Sequence, residues 1–126
     1  MKAESPQQAI ELFAAALNRG DVDTALELYD PDATFAPEPG VEVKGLPAIR
    51  VALDGFAALR PRMTGEVTKV LTAGEVALVM NRWRLEGTQP DGKAIEMRGH
   101  SADVLRRAQD GGWRVVIDDP WGGNGV

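Results

Sequence analysis

The side chain in this sequence best placed to do chemistry is the carboxyl of Asp103. It falls in the run Ser101-Ala102-Asp103-Val104-Leu105, where a two-residue period puts Ser101, Asp103 and Leu105 on one face of a strand. A carboxyl held among apolar neighbours loses water, its pKa rises, and it can serve as acid, base or hydrogen-bond donor near neutral pH. Few groups compete with it. The chain has no cysteine and a single histidine, His100, so thiolate nucleophiles, disulfides and zinc–thiolate sites are excluded. His100 stands an odd number of positions from Asp103, hence on the opposite face, where a structural role or a contact between chains is expected. No serine sits in a nucleophile elbow. Asp30 and Asp32, like Asp118 and Asp119, lack a calcium-loop pattern and read as loop caps. Neither Gly111-Gly112 nor Gly122-Gly123 opens a helix, so no phosphate cradle is present, and no metal or cofactor is expected.

Whether Asp103 is buried depends on the elements around it. With 126 residues, 44% of them hydrophobic, the chain reads as one domain spanning 1–126 with one core. Ser5, Pro6 and Gln8 form a helix start, and Ile10, Phe13, Ala14 and Leu17 follow at helical spacing up to Gly20. Asp21 caps a second helix with Val22, Ala25, Leu26 and Tyr29 on its stripe, ended by Pro31. A short strand at Ala33–Ala36 and a shorter one at Val41–Val43 precede a third helix from about Pro47 to before Pro61. The rest reads as β, with strands at Met63–Leu71, Val76–Glu86, Lys93–Arg107 and Trp113–Asp118 joined by hairpin turns. Gly99 is the expected bend or bulge of the long third strand. The fold class is therefore α+β: a curved, mostly antiparallel sheet wrapped by three helices in the order ααβ(β)αββββ.

Cross-strand chemistry suggests a register. Setting Trp83 opposite Met97 places Leu85 against Ile95, Asn81 against Gly99 and Val79 against Ser101, at the cost of an Arg82–Arg98 pair. Setting Leu105 opposite Val115 places Asp103 against Ile117. One face then carries Val79, Asn81 and Trp83, with Met97, Ser101, Asp103 and Leu105 beside them. Trp113 and Ile117 complete it, and Phe13 and Tyr29 reach it from the helices. A concave apolar surface with a few polar groups is what a small-molecule pocket requires. The opposite face, with Val76, Leu78, Met80, Val104 and Val116, has no helix left to cover it, so a homodimer is expected.

Net charge is −5, which disfavours nucleic acid as a partner. No window has the roughly 18 apolar residues of a membrane span, and no apolar signal core follows Met1. The expected location is the cytoplasm, and the expected partner is a small apolar or carbonyl-containing molecule.

Four segments share a further pattern: Leu17-Asn18-Arg19-Gly20-Asp21, Leu28-Tyr29-Asp30-Pro31-Asp32-Ala33-Thr34-Phe35, Lys44-Gly45-Leu46-Pro47-Ala48-Ile49 and Asp110-Gly111-Gly112-Trp113-Arg114-Val115-Val116. In this order they resemble the SnoaL-like, ketosteroid-isomerase-like branch of the nuclear-transport-factor-2-like superfamily. The resemblance implies a conical α+β barrel, usually dimeric, with a pocket inside the cone. Steroid isomerases of that family use a carboxylate base after the first strand, plus a tyrosine and a protonated aspartate that hold the oxyanion. In this chain Pro37 falls at the base with Glu38 beside it, Phe13 at the tyrosine, and Asp103 at the oxyanion aspartate. Two of three groups are missing, which argues against steroid isomerisation by that route. The function expected is a dimeric pocket protein with acid–base chemistry of isomerase, cyclase or dehydratase type on an apolar carbonyl substrate. Asp103 would be the acid or base, Asn81 and Ser101 would orient the ligand, and Trp83, Met97 and Phe13 would line the pocket. The alternative is a non-catalytic ligand-binding or association module on the same fold.

Overall fold

The computed structural model describes residues 2–125. Helix α1 (Pro6–Asn18) starts where the sequence provides for it: Ser5 Oγ accepts from the Gln8 amide at 3.0 Å, and Gln8 Oε1 accepts from the Glu4 amide at 2.6 Å. Two otherwise orphaned amides are satisfied reciprocally. Gly20, at φ 73°, makes the left-handed turn into α2 (Val22–Glu27), which Asp21 caps through the Thr24 amide.

Tyr29, which helical spacing assigns to the second helix, instead opens strand β1 (Tyr29–Glu38). Its ladder with β6 (Trp113–Asp119) explains why a strand can hold Pro31 and Pro37. The two strands run parallel, with Tyr29 opposite Val115 and Thr34 opposite Ile117, and the register breaks between them around Pro31. Pro37 falls in a second break, where β1 pairs with β2 (Val41–Lys44). Both prolines sit where no ladder amide is needed. Helix α3 (Leu46–Ala57) follows, then β3 (Arg62–Ala73), β4 (Val76–Thr88) and β5 (Ala94–Arg107). The six strands form one curved, unclosed sheet in the order β2-β1-β6-β5-β4-β3, antiparallel except for β1 beside β6.

The β4–β5 register differs from the expected one by two residues. Trp83 faces Gly99, not Met97, and Leu85 faces Met97. A shift of two preserves the faces but changes every partner. Packing decides it: a Cβ at Gly99 would lie 2.8 Å from the Trp83 indole, so only glycine can sit opposite that ring. Gly99 is thus a clearing for Trp83, with no register break there. The expected Arg82–Arg98 clash gives way to Arg84 opposite Arg98 and Glu86 opposite Glu96, relieved diagonally by Arg84 to Glu96 at 2.8 Å.

The register breaks fall elsewhere, between Val67 and Lys69 on β3 and between Val104 and Leu105 where β5 meets β6. The second inserts Val116 as an extra residue. Leu105 still faces Val115, but Asp103 now faces Asp118, and Ile117 pairs with Val104 on the outer face, 44% exposed. The assignment of Ile117 to the pocket is therefore incorrect, because a bulge reverses the alternation beyond it. Under the helices, Leu26, Ile49 and Leu53 close the core on Val79, Leu105 and Val115.

Candidate functional site

The helices and the inner sheet face leave a cavity of about 380 Å³, within the range of small-molecule sites. Helix α1 contributes Ile10, Glu11, Phe13 and Ala14 to its wall, and β3 contributes Met63 to Gly65. Asn18 joins these two sides at the end of α1, donating to the Met63 carbonyl at 2.9 Å and accepting from the Met63 amide at 2.6 Å. Phe35 and Phe56 enclose the interior, and Trp83 and Trp121 meet edge-on with ring centroids 5.1 Å apart. Trp83 Nε1 donates to the Pro120 carbonyl at 2.7 Å, holding the end of the chain against the cavity. The indole N–H of Trp121 is buried and, among the described residues, without a partner.

Two carboxyls meet in the cavity wall. Asp103 (4% exposed) and Asp118 are register partners on β5 and β6 and hydrogen-bond to one another. Asp103 Oδ1 accepts from the Asp119 amide at 3.1 Å, and the Tyr29 hydroxyl donates to Asp118 Oδ2. Burial pushes the Asp103 carboxyl well above the usual carboxylate range, and the neighbouring Asp118 charge pushes it further. Burial also raises Asp118, against the pull of hydrogen bonds from Tyr29 and Asp103. Burial first, and the Asp118 carboxylate second, keep the Tyr29 phenol protonated. Two carboxyls this close cannot both ionise easily, which favours a form with one proton between them. Asp103, pushed further above the usual range, is the favoured carboxylic acid, and Asp118, which takes the Tyr29 hydroxyl's hydrogen bond, the favoured carboxylate.

The cavity brings together Phe13, Asn81, Trp83, Ser101 and Asp103 from the residues assigned by sequence. The Asn81 amide lies over Gly65, where a Cβ would come within 2.8 Å of it, so that glycine makes its space. Val79, Leu105 and Trp113 are buried in the core but are not part of the cavity wall. Tyr29 stands behind the wall and acts through Asp118. Met97, opposite Leu85, also lies off the cavity. Asp118, read from sequence as a loop cap, is the residue that reading missed; only the bulge at Val116 turns it inward. His100 is on the outer face, its Nε2 2.8 Å from Thr68 Oγ1. Among the described residues no group of three or more His, Cys, Asp or Glu could hold a metal, and no helix is long and apolar enough to cross a membrane.

Fold and cavity together define an α+β cone with an acidic pair inside a mostly apolar chamber. The chain belongs to the family of SnoaL-like domains, whose model matches residues 10–116. Its fold is that of a nuclear-transport-factor-2-like protein with a cystatin-like fold from Novosphingobium aromaticivorans (22% identity, TM-score 0.75, covering 94% of this chain and 80% of that one). A ketosteroid isomerase-like protein from Erwinia carotovora atroseptica is similar at 20% identity and TM-score 0.77, covering 89% and 88%. A protein from Thiobacillus denitrificans, provisionally described as a calcium/calmodulin-dependent protein kinase type II association domain, is similar at 16% identity and TM-score 0.78, covering 94% and 95%. No curated protein matches the sequence.

Proposed function

We propose that this protein is a homodimeric small-molecule-pocket protein whose Asp103–Asp118 pair moves a proton on an apolar carbonyl substrate. The observation that carries the reading is the pair of carboxyls, Asp103 and Asp118, set against one another on adjacent strands in the wall of a mostly apolar cavity. In such a site the Asp118 carboxylate takes a proton from the carbon next to the carbonyl. The Asp103 carboxyl turns its proton to the carbonyl oxygen, where negative charge develops. Returning the proton to another carbon, or losing a leaving group, yields an isomerase or dehydratase outcome. Tyr29 is a positioning residue in this scheme, because its hydroxyl holds Asp118 and favours its ionised form against the push of burial. Asn81 is a polar group of the wall that can orient the ligand, while Ser101 donates its hydroxyl to the Asn81 carbonyl at 3.2 Å.

Deuterium uptake at the carbons beside the carbonyl of 2-tetralone, followed by proton NMR in heavy water, tests the reading. Wild-type protein should accelerate uptake and Asp118→Asn should leave it at the uncatalysed rate. A wild type that binds the ketone without accelerating exchange would instead support the second reading, a non-catalytic ligand-binding or association module. That reading draws on the similarity to the Thiobacillus protein.

The proposed dimer is formed by the outer sheet face. Leu71, Leu78, Val104 and Ile117 are register partners across β3, β4, β5 and β6 and make one apolar row, with Leu71 and Ile117 exposed. Met80, expected in this face, is instead buried, with Gly123 of the chain end packed against it.

A further inference from the structure

The charge inside the cavity has no counterpart. The charged side chains in its wall are Glu11, Asp103 and Asp118, and among the described residues lining it none is lysine, arginine or histidine. No ion pair among the described residues involves Asp103 or Asp118, and no cationic group acts on either carboxyl. Buried charges in proteins are ordinarily paired, since an unpaired one is costly to desolvate. The same cavity wall carries five aromatic side chains, Phe13, Phe35, Phe56, Trp83 and Trp121. Ring faces attract cations, and a desolvated cation gains most from them.

We infer that the cavity is built to take a lipophilic amine, with its protonated nitrogen beside the Asp118 carboxylate and its apolar body among the aromatic rings. The missing cation is then supplied by the ligand. The inference rests on the reading of the cavity as a ligand site and is independent of turnover; an ammonium on Asp118 occupies the proton acceptor and blocks exchange on a ketone. Carboxylates and phosphates are excluded, because they would enter a chamber whose only charges are negative.

Three probes of one shape test this by isothermal titration calorimetry on the full chain: 1-naphthylmethylamine, 1-naphthylmethanol and 1-naphthoic acid. At about pH 7 the amine should bind at least tenfold more tightly than the alcohol, about 1.4 kcal/mol, and the acid should not bind. Asp118→Asn should remove the amine's advantage, read as the ratio of amine to alcohol affinity in the same variant. Wild-type protein supplies a second measurement that needs no variant. Lowering the pH shifts the pair, whose carboxyls both stand above 3.8, towards its fully protonated form and should shrink the amine's advantage step by step, with alcohol binding unchanged. The other titratable groups facing the pair are Tyr29 from β1, Asp119 on β6 and Glu11 from α1. Tyr29 stays protonated throughout this range, and Glu11→Gln separates the α1 carboxyl from the pair. If amine and alcohol bind alike, or the acid binds as well as the amine, the inference is overturned while the cavity remains a ligand site. If none of the three binds, the cavity reading fails with it.

Discussion

At the scale of single residues, the protein turns on where one proton resides. Burial holds Asp103 and Asp118 above the ordinary carboxyl value of 3.8, helped by the Asp118 charge at Asp103 and by the Asp119 charge at Asp118. The native pair therefore keeps protons that the unfolded chain releases above that value. Its contribution to stability is largest below 3.8 and falls as pH rises towards the folded titration. Asp103→Asn carries no titration at that position, so its stability relative to wild type should improve as pH rises from about 4 to about 8. Urea unfolding at both ends of the range measures this. A stability difference that stays constant with pH would mean that the two carboxyls titrate alike in the folded and unfolded chain.

At the scale of elements, α1 closes the cavity and a single side chain ties its end down. Asn18 makes two hydrogen bonds to the backbone of Met63 at the start of β3. Replacing it by alanine leaves that amide and carbonyl to water and should cost about 1 kcal/mol. Because Asn18 and Met63 both belong to the cavity wall, Asn18→Ala should also weaken binding of 1-naphthylmethanol. A variant with wild-type stability and wild-type alcohol affinity would show that packing alone positions α1. The break in the β5–β6 ladder acts at the same scale. Val116 has no partner; an unbroken ladder would pair it with Val104 and set Ile117 in the place beside Asp103 that Asp118 holds.

At the scale of the whole molecule, the sheet has one face under the helices and one that they do not reach. The apolar row through Leu71, Leu78, Val104 and Ile117 lies on the second. Placing a charge in its middle with Leu78→Glu should abolish association, because an unpaired charge in an apolar interface is costly. Light scattering should read a dimer mass for wild type and a monomer mass for the variant. A wild-type monomer at micromolar concentration would remove the dimer from the proposal.

Much of this was legible in the chain because it is local. The helix caps at Ser5 and Asp21, the hairpin turns and the strand faces follow from residues a few positions apart. Asp103 and Ser101 could therefore be set on the inner face with Asn81 and Trp83, since a register error of two residues leaves every face intact. The rest depends on contacts distant in sequence. That Trp83 faces Gly99 depends on how an indole packs against a neighbouring strand. That Tyr29 leaves the helix depends on a parallel partner more than eighty residues away. That Asp118 rather than Ile117 turns inward depends on one unpaired residue, and nothing in the alternation of Trp113 to Asp119 marks it. Sequence alone determined the fold class and which residues share the inner face of the sheet, one carboxyl among them. Only the tertiary structure supplied the second carboxyl, because a bulge belongs to the pairing of two strands and to neither strand by itself.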